Sequence, residues 1–468
     1  MKIRHFMGSL TLAVLAMTAL NASSGNISAD AARTVARIFI HQQAAMKSFK
    51  SHVAMTDLKL VHAEASSAVS KANDYYAFNI TGGGFIIIAG EDRAAQVLGY
   101  SEKGHLDFNN LPYGLQGLLK GYCKEIEFLQ TYRGDDLVPA PQSFNATAGV
   151  EPLIKTTWGQ EDPYDLQCPV FQGQYCAVGC VATAMAQVMK YWQYPEGSGS
   201  LPRYYCNKIN QYVPALPATT FNYNLMLNSY CHWDWNTSEL IQDTYTDAQA
   251  QEVAKISRYC GQSVEMMYHP DGSGAYTSDQ RDAMVSFGYR SSAKYVQKGS
   301  GGSWWGGYTT AQWESMMKNE LDAGRPILYA ASDVNGGGGH AFICDGYNSD
   351  GKFHFNYGWY GTCDGWYVST ALNMTHRSGE ELKFNSGHEM VTGVEPPEGW
   401  QPPVTILIGD VNNDGVVNIA DVTKLIDYLL STNDASISLD AADTKPDGVI
   451  NIADVTALID QLLNTNAD

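Results

Sequence analysis

Residues 179–192 read GCVATAMAQVMKYW, and this run organises the largest part of the chain. Its apolar side chains recur at helical spacing, at Val181, Met185, Val188, Met189 and Trp192. Small residues between them allow such a helix to pack closely, and Gly179 marks a turn before it. The pattern therefore predicts a buried helix that begins at Cys180.

Cys180 is a candidate nucleophile because of this position. The free N–H groups and the dipole at a helix N-terminus favour a thiolate over a thiol. Nucleophilic cysteines need such an environment. A buried structural cysteine or a disulfide partner fits the pattern equally well, so the interpretation depends on finding a base.

A thiolate nucleophile needs an imidazole, and His340 is the strongest candidate among the 11 histidines. Four glycines precede it and apolar residues follow it, which predicts a loop that leads into a strand. The next predicted strand ends near Asn356, Tyr357 and Trp359, where an amide beside an aromatic ring would orient and shield the imidazole. His388 is a rival base, since an apolar pair also follows it.

The order Cys, His, Asn along the chain, with 160 residues from Cys180 to His340, matches the papain-like arrangement. Such a site also needs donors for an oxyanion. Gln160, in the run Trp158-Gly159-Gln160, is the candidate side-chain donor, and the Cys180 backbone N–H is the candidate second donor. A solvated surface glutamine is the alternative interpretation of Gln160.

The front and central parts of the chain together resemble the streptopain-type secreted cysteine proteases, over about residues 27–394. The matching motifs occur in order and at compatible spacing: Tyr75–Ile80, Gly83–Ile86, Leu98–Ser101, Gly159-Gln160, Gly179–Ala184, Met189–Tyr191, Tyr194-Pro195, Gly339–Phe342 and Asn356–Trp359. The resemblance implies an α+β, papain-like fold, an N-terminal α+β propeptide that inhibits the zymogen, and endopeptidase activity.

Carried over residue by residue, the resemblance assigns the expected catalytic roles. It makes Cys180 the nucleophile, His340 the general base and acid, and Gln160 an oxyanion donor. It also places Asn356 and Trp359 beside His340.

The composition limits the classes of protein. Of the 468 residues, 44% are hydrophobic and 17% are charged, which excludes bulk disorder and a coiled coil. The formal net charge of −19 makes nucleic acid and anionic membranes poor partners. We therefore expect no nucleic acid as partner. No stretch beyond the first 22 residues is long and apolar enough to cross a membrane, so we expect no membrane span. The resemblance implies protein or peptide substrates. The nine cysteines are an odd number, and their disulfide connectivity stays open.

The chain divides into five predicted segments. Residues 1–22 combine basic residues, a short apolar run and small residues, which predicts a secretory signal peptide. Residues 23–150 are the predicted inhibitory propeptide, and residues 151–394 are the predicted catalytic domain. A proline-rich linker, 395–407, leads to a C-terminal module, 408–468. We expect an exported protein that is extracellular, periplasmic or associated with the cell surface.

Local patterns predict the main elements of the front segment. Helical spacing favours helices over Ala31–Met46 and Leu115–Leu129. The runs Tyr75–Ile80 and Phe85–Ala89, separated by glycines, predict a β-hairpin. A segment rich in Pro, Ala and Ser, Val138–Ala148, is typical of an exposed and cleavable connection.

The C-terminal module contains a repeat at an offset of 33 residues, in which Val416–Thr423 recurs as Val449–Thr456. Each copy opens with oxygen-bearing residues at the spacing that suits Ca²⁺, with glycine at the sixth position. The predicted ligands are Asp410, Asn412, Asp414, Val416 (backbone), Asn418 and Asp421 in the first loop, and Asp443, Asp447, Val449 (backbone), Asn451 and Asp454 in the second. Lys445 occupies a ligand position in the second loop, so this loop is expected to bind Ca²⁺ more weakly.

This duplicated loop–helix resembles a type I dockerin, which implies a small all-α, calcium-binding module and a cohesin-type scaffold as partner. From residue 410 onward there are 11 Asp and two Lys, so nine of the 19 net negative charges belong to this module. This concentration indicates cation coordination. An acidic solvated tail, and a Ca²⁺-stabilised terminal module without a scaffold, are the alternatives.

Two other functions compete with a protease. A thiol acyltransferase or transpeptidase would use the same Cys–His pair. A non-catalytic cohesin-binding protein on the same scaffold is the other alternative, and the intact Cys180 and His340 argue against it. The chain departs from the family pattern at Tyr357, where the family often has Trp, although tyrosine also stacks on imidazole.

Overall fold

The computed structural model describes residues 25–45, 58–139, 149–234, 237, 239–299, 307–332, 339–372, 374–378, 387–401, 408–412, 416–430, 437–445 and 449–465. The chain divides into two compact units, Met1–Gly399 and Trp400–Asp468. The predicted signal peptide, residues 140–148 of the predicted cleavable connection and residues 402–407 of the predicted linker lie outside the described residues.

The described residues contain nine α-helices and twenty strands. The helices are α1 (Ala29–Ala45), α2 (Tyr113–Thr131), α3 (Cys180–Trp192), α4 (Asp247–Ser263), α5 (Thr277–Ser286), α6 (Thr310–Asp322), α7 (Ile419–Leu430), α8 (Leu439–Ala442) and α9 (Ile452–Thr465). None of these helices is long and apolar enough to cross a membrane.

The strands are mostly short. They are β1 (Leu58–Ala65), β2 (Asn73–Ile80), β3 (Phe85–Ala89), β4 (Val97–Ser101), β5 (Leu137–Pro139), β6 (Val170–Phe171), β7 (Gln174–Tyr175), β8 (Gly197–Ser198), β9 (Tyr204–Cys206), β10 (Gln211–Val213), β11 (Thr219–Thr220), β12 (Cys231–Asp234), β13 (Glu239–Gln242), β14 (Lys294–Gln297), β15 (Ile327–Ser332), β16 (Gly339–Tyr347), β17 (Phe353–Asn356), β18 (Gly365–Tyr367), β19 (Met374–His376) and β20 (His388–Thr392).

One antiparallel sheet of ten strands carries the first unit. Its order is β1-β2-β3-β4-β18-β17-β16-β15-β20-β14. The four strands of the front segment thus continue the sheet of the central part. The junction is the β4–β18 pair, in which Tyr100 lies opposite Trp366 and Gly99 lies opposite Tyr367. Backbone hydrogen bonds within the sheet therefore join the front segment to the central part.

The predicted elements of the front segment are confirmed. Helix α1 buries Ala32, Val35, Ala36 and Ile40 against strands β2 and β3. Those strands form the predicted hairpin, with Tyr76 opposite Ile88. Helix α2 covers the sheet further along, where its apolar side chains join the core beneath β15 and β16.

Helix α3 is confirmed to begin at Cys180, and it lies in the middle of the first unit. All its residues from Cys180 to Met189 are buried, so it is surrounded on every side by protein. Gly179 adopts a left-handed φ of 89°, and a Cβ there would lie 2.7 Å from the Met266 sulfur. Only glycine satisfies both the backbone angle and this close approach, which fixes the turn that presents Cys180.

Two hydrophobic cores meet at the helix α3 N-terminus. The first surrounds α3 itself and includes Trp158, Tyr259 and Tyr268. The second lies between the sheet and helices α2 and α6 and includes Trp313 and Phe342. A cleft opens between these two cores. The predicted residues Gln160, Cys180 and His340 line it.

The second unit is a small all-α module. Helices α7 and α9 are the two predicted copies, and they share a core of Val411, Val422, Leu425, Ala442, Val455 and Leu458. Equivalent side chains of the repeat, such as Val422 and Val455, occupy this core together. Each copy thus covers the apolar face of the other, which explains why the repeat occurs twice.

Replacement of Gly99 by Val is expected to loosen the front segment, because a side chain there would overlap the Tyr367 ring across the sheet junction. Overpacking of this kind costs roughly 1–3 kcal/mol. In a Cys180→Ala background, the urea midpoint should fall and cleavage of the front segment by added trypsin should accelerate. Lys59→Val, at an exposed site on the outer strand, is the matched control. Equal effects of the two substitutions would contradict the importance of this junction.

Candidate active site

Cys180 lies at the bottom of the cleft and is 8% exposed. The backbone N–H of Ala341, on strand β16, donates to its sulfur at 3.4 Å. The backbone N–H of Val181, in the first turn of α3, also contacts the sulfur. Both contacts stabilise negative charge on sulfur, as expected at a helix N-terminus.

His340 reaches the same point from strand β16. Pairing with β15 sets it opposite Ala331, and the ring is buried beside the Cys180 thiol, with which it hydrogen-bonds. Its Nε2 lies 3.2 Å from the backbone carbonyl of Tyr357. A carbonyl can only accept, so Nε2 carries a proton in this contact, which leaves Nδ1 to exchange a proton with the thiol.

The two groups shift each other's pKa. Burial by itself raises the pKa of Cys180, but the charge and hydrogen bond of His340, with the N–H groups of Ala341 and Val181, bring it below the ordinary value. Burial by itself lowers the pKa of His340, yet Cys180 and the Tyr357 carbonyl bring it above the ordinary value. The pair therefore favours a thiolate beside an imidazolium.

Gln160 points an unsatisfied donor into the cleft. It follows the buried Trp158 on the segment that packs against α3, and it lines the cleft with Cys180. Its Nε2 is buried and has no hydrogen-bond partner among the described residues. Such a group costs free energy unless a ligand supplies an acceptor. Its location and its free N–H fit an oxyanion donor.

The structure places Asn356 and Trp359 in different relations to His340. The Asn356 amide donates to the Thr156 carbonyl at 2.8 Å and accepts from the side-chain amide of Gln187 at 3.1 Å. The group that contacts His340 Nε2 is the backbone carbonyl of Tyr357, the next residue, and not the Asn356 amide. Trp359 meets the imidazole edge-on, with ring centroids 6.5 Å apart.

Tyr357, the position that departs from the family pattern, turns its ring away into the core. It packs against Phe342, Phe355 and Tyr367. Its backbone carbonyl, and not its ring, meets His340. A change of aromatic side chain here is thus compatible with the orientation of the imidazole.

His388, the rival base, lies elsewhere in the sheet. It is buried on strand β20, and its Nδ1 hydrogen-bonds the hydroxyl of Tyr329 at 2.8 Å. Burial and the nearby charge of Lys298 lower its pKa to about 3. It is therefore neutral at ordinary pH and belongs to the core beneath the sheet.

Sequence reasoning missed Gln187, which joins three parts of the site. Gln187 lies on helix α3, and its side-chain oxygen accepts from the Thr156 hydroxyl at 2.8 Å and from the backbone N–H of Trp158 at 3.3 Å. Its side-chain NH₂ donates to the side-chain oxygen of Asn356. A polar residue on a helix buried all round was the available signal, because buried amides are nearly always hydrogen-bonded.

The front segment closes one side of the cleft. The first turn of α2 abuts His340, since a Cβ on Gly114 would lie 2.8 Å from both the imidazole and the Phe342 ring. The cleft that remains has a volume of about 1140 Å³. Residues of the front segment line it together with those of the central part, among them His105, Tyr113 and Lys120.

The two loops of the second unit share one arrangement. Asp421, fully buried, accepts from the backbone N–H of Asn412 at 3.1 Å and of Asn418 at 2.8 Å. Asp454 accepts in the same way from Lys445 at 2.9 Å and Asn451 at 2.8 Å. The aspartate at the twelfth position of each loop, Asp421 or Asp454, therefore holds two parts of its loop together by accepting from the backbone of both.

The donor set of the first loop fits Ca²⁺. Asp410 and Asp421 are both buried carboxylates in one loop, a concentration of charge that a cation would compensate. Asp414 and Asp447, the predicted fifth-position ligands, lie outside the described residues. Within the described part of the chain, no three His, Cys, Asp or Glu side chains are grouped so that they could hold a metal.

Three known protein families match successive parts of the chain. Residues 158–367 match the Peptidase C10 family. Residues 24–126 match the Spi protease inhibitor family, and residues 408–463 match the Dockerin type I domain. The three matches follow the order of front segment, central part and C-terminal module.

Individual proteins show the same likeness. Streptopain of Streptococcus pyogenes serotype M1 is 29% identical over 391 residues, which cover 78% of this chain and 91% of streptopain. Thiol protease/hemagglutinin PrtT of Porphyromonas gingivalis is 29% identical over 339 residues, which cover 69% of this chain but 37% of that protein. A solved fragment of Prevotella intermedia prointerpain A is 30% identical with a TM-score of 0.55, over 73% of this chain and 99% of the fragment.

Substitution of His340 by Ala is expected to raise the pKa of Cys180, because burial then acts without the imidazole. Thiolate forms as pH rises through the thiol pKa, so the alkylation profile should move to higher pH. If the pKa of the thiol rises by about one, the alkylation rate at pH 6 falls roughly tenfold. Iodoacetamide labelling of Cys180, quantified by peptide mass mapping across pH 5–10, measures this.

His388→Ala is the matched control, since it removes a buried imidazole that does not contact the thiol. Its profile should coincide with that of the unsubstituted chain. Cys176 and Cys231 should react little at pH 6, because burial raises their pKa values to about 11 and about 12. An unchanged profile in His340→Ala would contradict the pairing.

Proposed function

The chain belongs to the Peptidase C10 family of streptopain-type cysteine proteases, and we propose that it is a secreted endopeptidase made as a zymogen. The observation that carries the proposal is the meeting of Cys180, His340 and the unsatisfied Gln160 amide at one end of the cleft. The three groups supply a nucleophile, a proton carrier and an oxyanion donor.

Acylation uses all three groups. The Cys180 thiolate attacks the scissile carbonyl carbon, and the carbonyl oxygen takes the negative charge. The Gln160 side chain and the Cys180 backbone N–H donate to that oxygen. As the C–N bond breaks, the His340 imidazolium gives its proton to the departing amine, which leaves a thioester on Cys180.

Deacylation returns the site to its starting state. Neutral His340 takes a proton from water, and the resulting hydroxide attacks the thioester carbonyl. Cys180 leaves as a thiolate beside the imidazolium, and the new carboxylic acid departs. The carbonyl of Tyr357 holds His340 Nε2 throughout, so the ring keeps Nδ1 toward the sulfur.

The front segment is proposed to be the inhibitory propeptide. It contributes four strands to the common sheet and packs the start of α2 against His340. A peptide substrate would have to share the cleft with these residues, so removal of the segment is required for full activity. The expected cut lies between the two parts, near residues 138–148.

The C-terminal module is proposed to bind Ca²⁺ and a cohesin-type scaffold. In the first loop Asp410, Asn412, Asp414, Asn418, Asp421 and the Val416 carbonyl would hold the ion. Ca²⁺ in such a loop neutralises the grouped carboxylates and stabilises the fold of the module. A scaffold partner and the predicted signal segment together favour an extracellular or cell-surface location.

Gln160→Ala is expected to lower kcat by roughly 10²–10³-fold with a smaller change in KM, because the lost hydrogen bond strengthens as charge develops on the oxygen. Hydrolysis of a fluorogenic peptide by the matured protein measures both constants. Gln167→Ala, which removes a surface amide bonded to Gln251, is the control and should leave kcat unchanged. A wild-type kcat in Gln160→Ala would refute its assignment as a donor.

Calcium titration of the full chain, carrying Cys180→Ala, should show two unequal binding events by calorimetry. Asp421→Ala is expected to abolish the tighter event, and Asp454→Ala the weaker one. Lys445→Asn should tighten the weaker event, because an amide oxygen replaces a side chain that cannot coordinate. Two equal events, or the loss of the weaker event in Asp421→Ala alone, would contradict the assignment.

A further inference from the structure

An aromatic side chain outside the catalytic group faces the cleft. Trp233 lies on strand β12 of a hairpin whose second strand, β13, sets Leu240 opposite it. Trp233 and Leu240 line the same cleft as Cys180 and His340. Leu240 is 38% exposed, so the hairpin presents an apolar surface there.

One side chain of the front segment covers the Trp233 part of this surface. The imidazole of His105 stacks on the Trp233 ring, with centroids 3.7 Å apart and an angle of 26° between the planes. Burial lowers the pKa of His105 against the opposing charge of Asp107, which favours the neutral ring. The contact is therefore the stacking of two flat, uncharged rings.

The backbone fixes His105 in this position. Its N–H donates to the Thr362 carbonyl at 2.9 Å, and its own carbonyl accepts from the Cys363 thiol at 3.7 Å. Gly104 has a left-handed φ of 69°, and a Cβ there would overlap the Thr362 carbonyl oxygen, so glycine at this position lets the chain bring His105 onto the cleft wall. The front segment thus holds the imidazole against Trp233 through hydrogen bonds to both the N–H and the carbonyl of His105.

Hydrogen bonds within the central part of the chain also hold the β12–β13 hairpin in place. At its base the His232 ring lies 2.6 Å from the Asp243 carboxylate, and the Gln242 amide donates to Asp162 at 3.1 Å. Asp162 follows Gln160 by two residues in the chain. Removal of the propeptide therefore leaves Trp233 attached to the segment that carries the oxyanion donor.

The position of Thr362 assigns this surface to one side of the scissile bond. The N–H and hydroxyl of Thr362 both donate to the Trp359 carbonyl, at 3.1 and 2.9 Å. Trp359 in turn flanks His340, the group that protonates the departing amine. The surface that adjoins Thr362 hence lies toward the leaving-group side of the cleft.

We propose that Trp233, with Leu240 beside it, forms a subsite for a planar aromatic or imidazole side chain of the substrate, within the first two residues after the scissile bond, and that His105 fills this subsite in the zymogen. The inference rests on the proposed peptidase function and deepens it by naming a substrate preference. When the propeptide leaves, a substrate ring replaces the ring of His105.

The test compares peptides that differ at one residue after the scissile bond. Quenched fluorogenic peptides would carry Phe, Tyr, His, Leu or Ala at the first or second position on that side, with an unchanged amino-terminal half. The matured protein should cleave the ring-bearing peptides roughly tenfold more efficiently than the Ala peptide at one of these positions, the size expected of a stacked ring pair. The Leu peptide should fall between them.

Three variants separate stacking from general packing. Trp233→Phe should keep the preference for rings, whereas Trp233→Leu should reduce the ratio between ring and Ala peptides to about one. Tyr276→Ala removes an exposed aromatic side chain from another part of the cleft wall and should leave the ratio as it is. In the full chain, His105→Ala should shorten the half-time for removal of the front segment, and His105→Phe should preserve it.

The outcomes are distinguishable from failure of the peptidase proposal. A peptide whose dye is itself the leaving group has no residue after the scissile bond and reports the chemistry alone. If the matured protein does not cleave that peptide, the proposed function fails. If it cleaves that peptide but shows no ring preference at either position, or keeps the preference in Trp233→Leu, the subsite is refuted.

Discussion

The charge pair between Cys180 and His340 is the interaction on which the rest of the site depends. A thiol buried at 8% exposure would ordinarily be inert, as the raised pKa values of the buried Cys168 and Cys260 illustrate. The imidazole reverses this effect at one position. Its own charge is in turn stable only because the thiolate and the Tyr357 carbonyl face it. Each residue therefore depends on the other for its charged form, the thiolate of Cys180 or the imidazolium of His340.

The fold serves to bring these two groups together from separate cores. Helix α3 fixes the sulfur, and the register of β15 with β16 fixes the imidazole. The Gln187 side chain on helix α3 hydrogen-bonds to the Thr156–Trp158 segment and to Asn356, and so connects helix α3 with both. A buried network of this kind is rigid because each unmade hydrogen bond would cost free energy.

The front segment is bound by more than its contact with the site. It continues the sheet through β4 and β18, and its helix α2 is tied to the same region by the Glu125 carboxylate, which accepts from the Ala371 N–H at 2.6 Å. A single cut in the chain breaks neither this main-chain pairing nor this buried hydrogen bond. We therefore expect cleavage and dissociation of the front segment to be separate physical steps.

Much of this organisation was predictable from the sequence, because it follows from local patterns. Helical spacing predicts the helix that begins at Cys180, and the glycines before His340 with the apolar residues after it predict its strand. The C-terminal module follows from its 33-residue repeat. The family, the fold class and the dockerin-like module are confirmed by the comparisons. Contacts between distant segments were not predictable. The carbonyl of Tyr357 in place of the Asn356 amide, and the stacking of His105 on Trp233, depend on tertiary placement.

One measurement tests the central claim most directly. Matured protein is treated with increasing amounts of a thiol alkylator, and casein hydrolysis and the modified fraction of Cys180 are measured on the same samples. The account predicts that activity falls in proportion to the unmodified fraction of Cys180 and reaches zero when that residue is fully alkylated. Proteolysis that survives complete alkylation of Cys180 would contradict it.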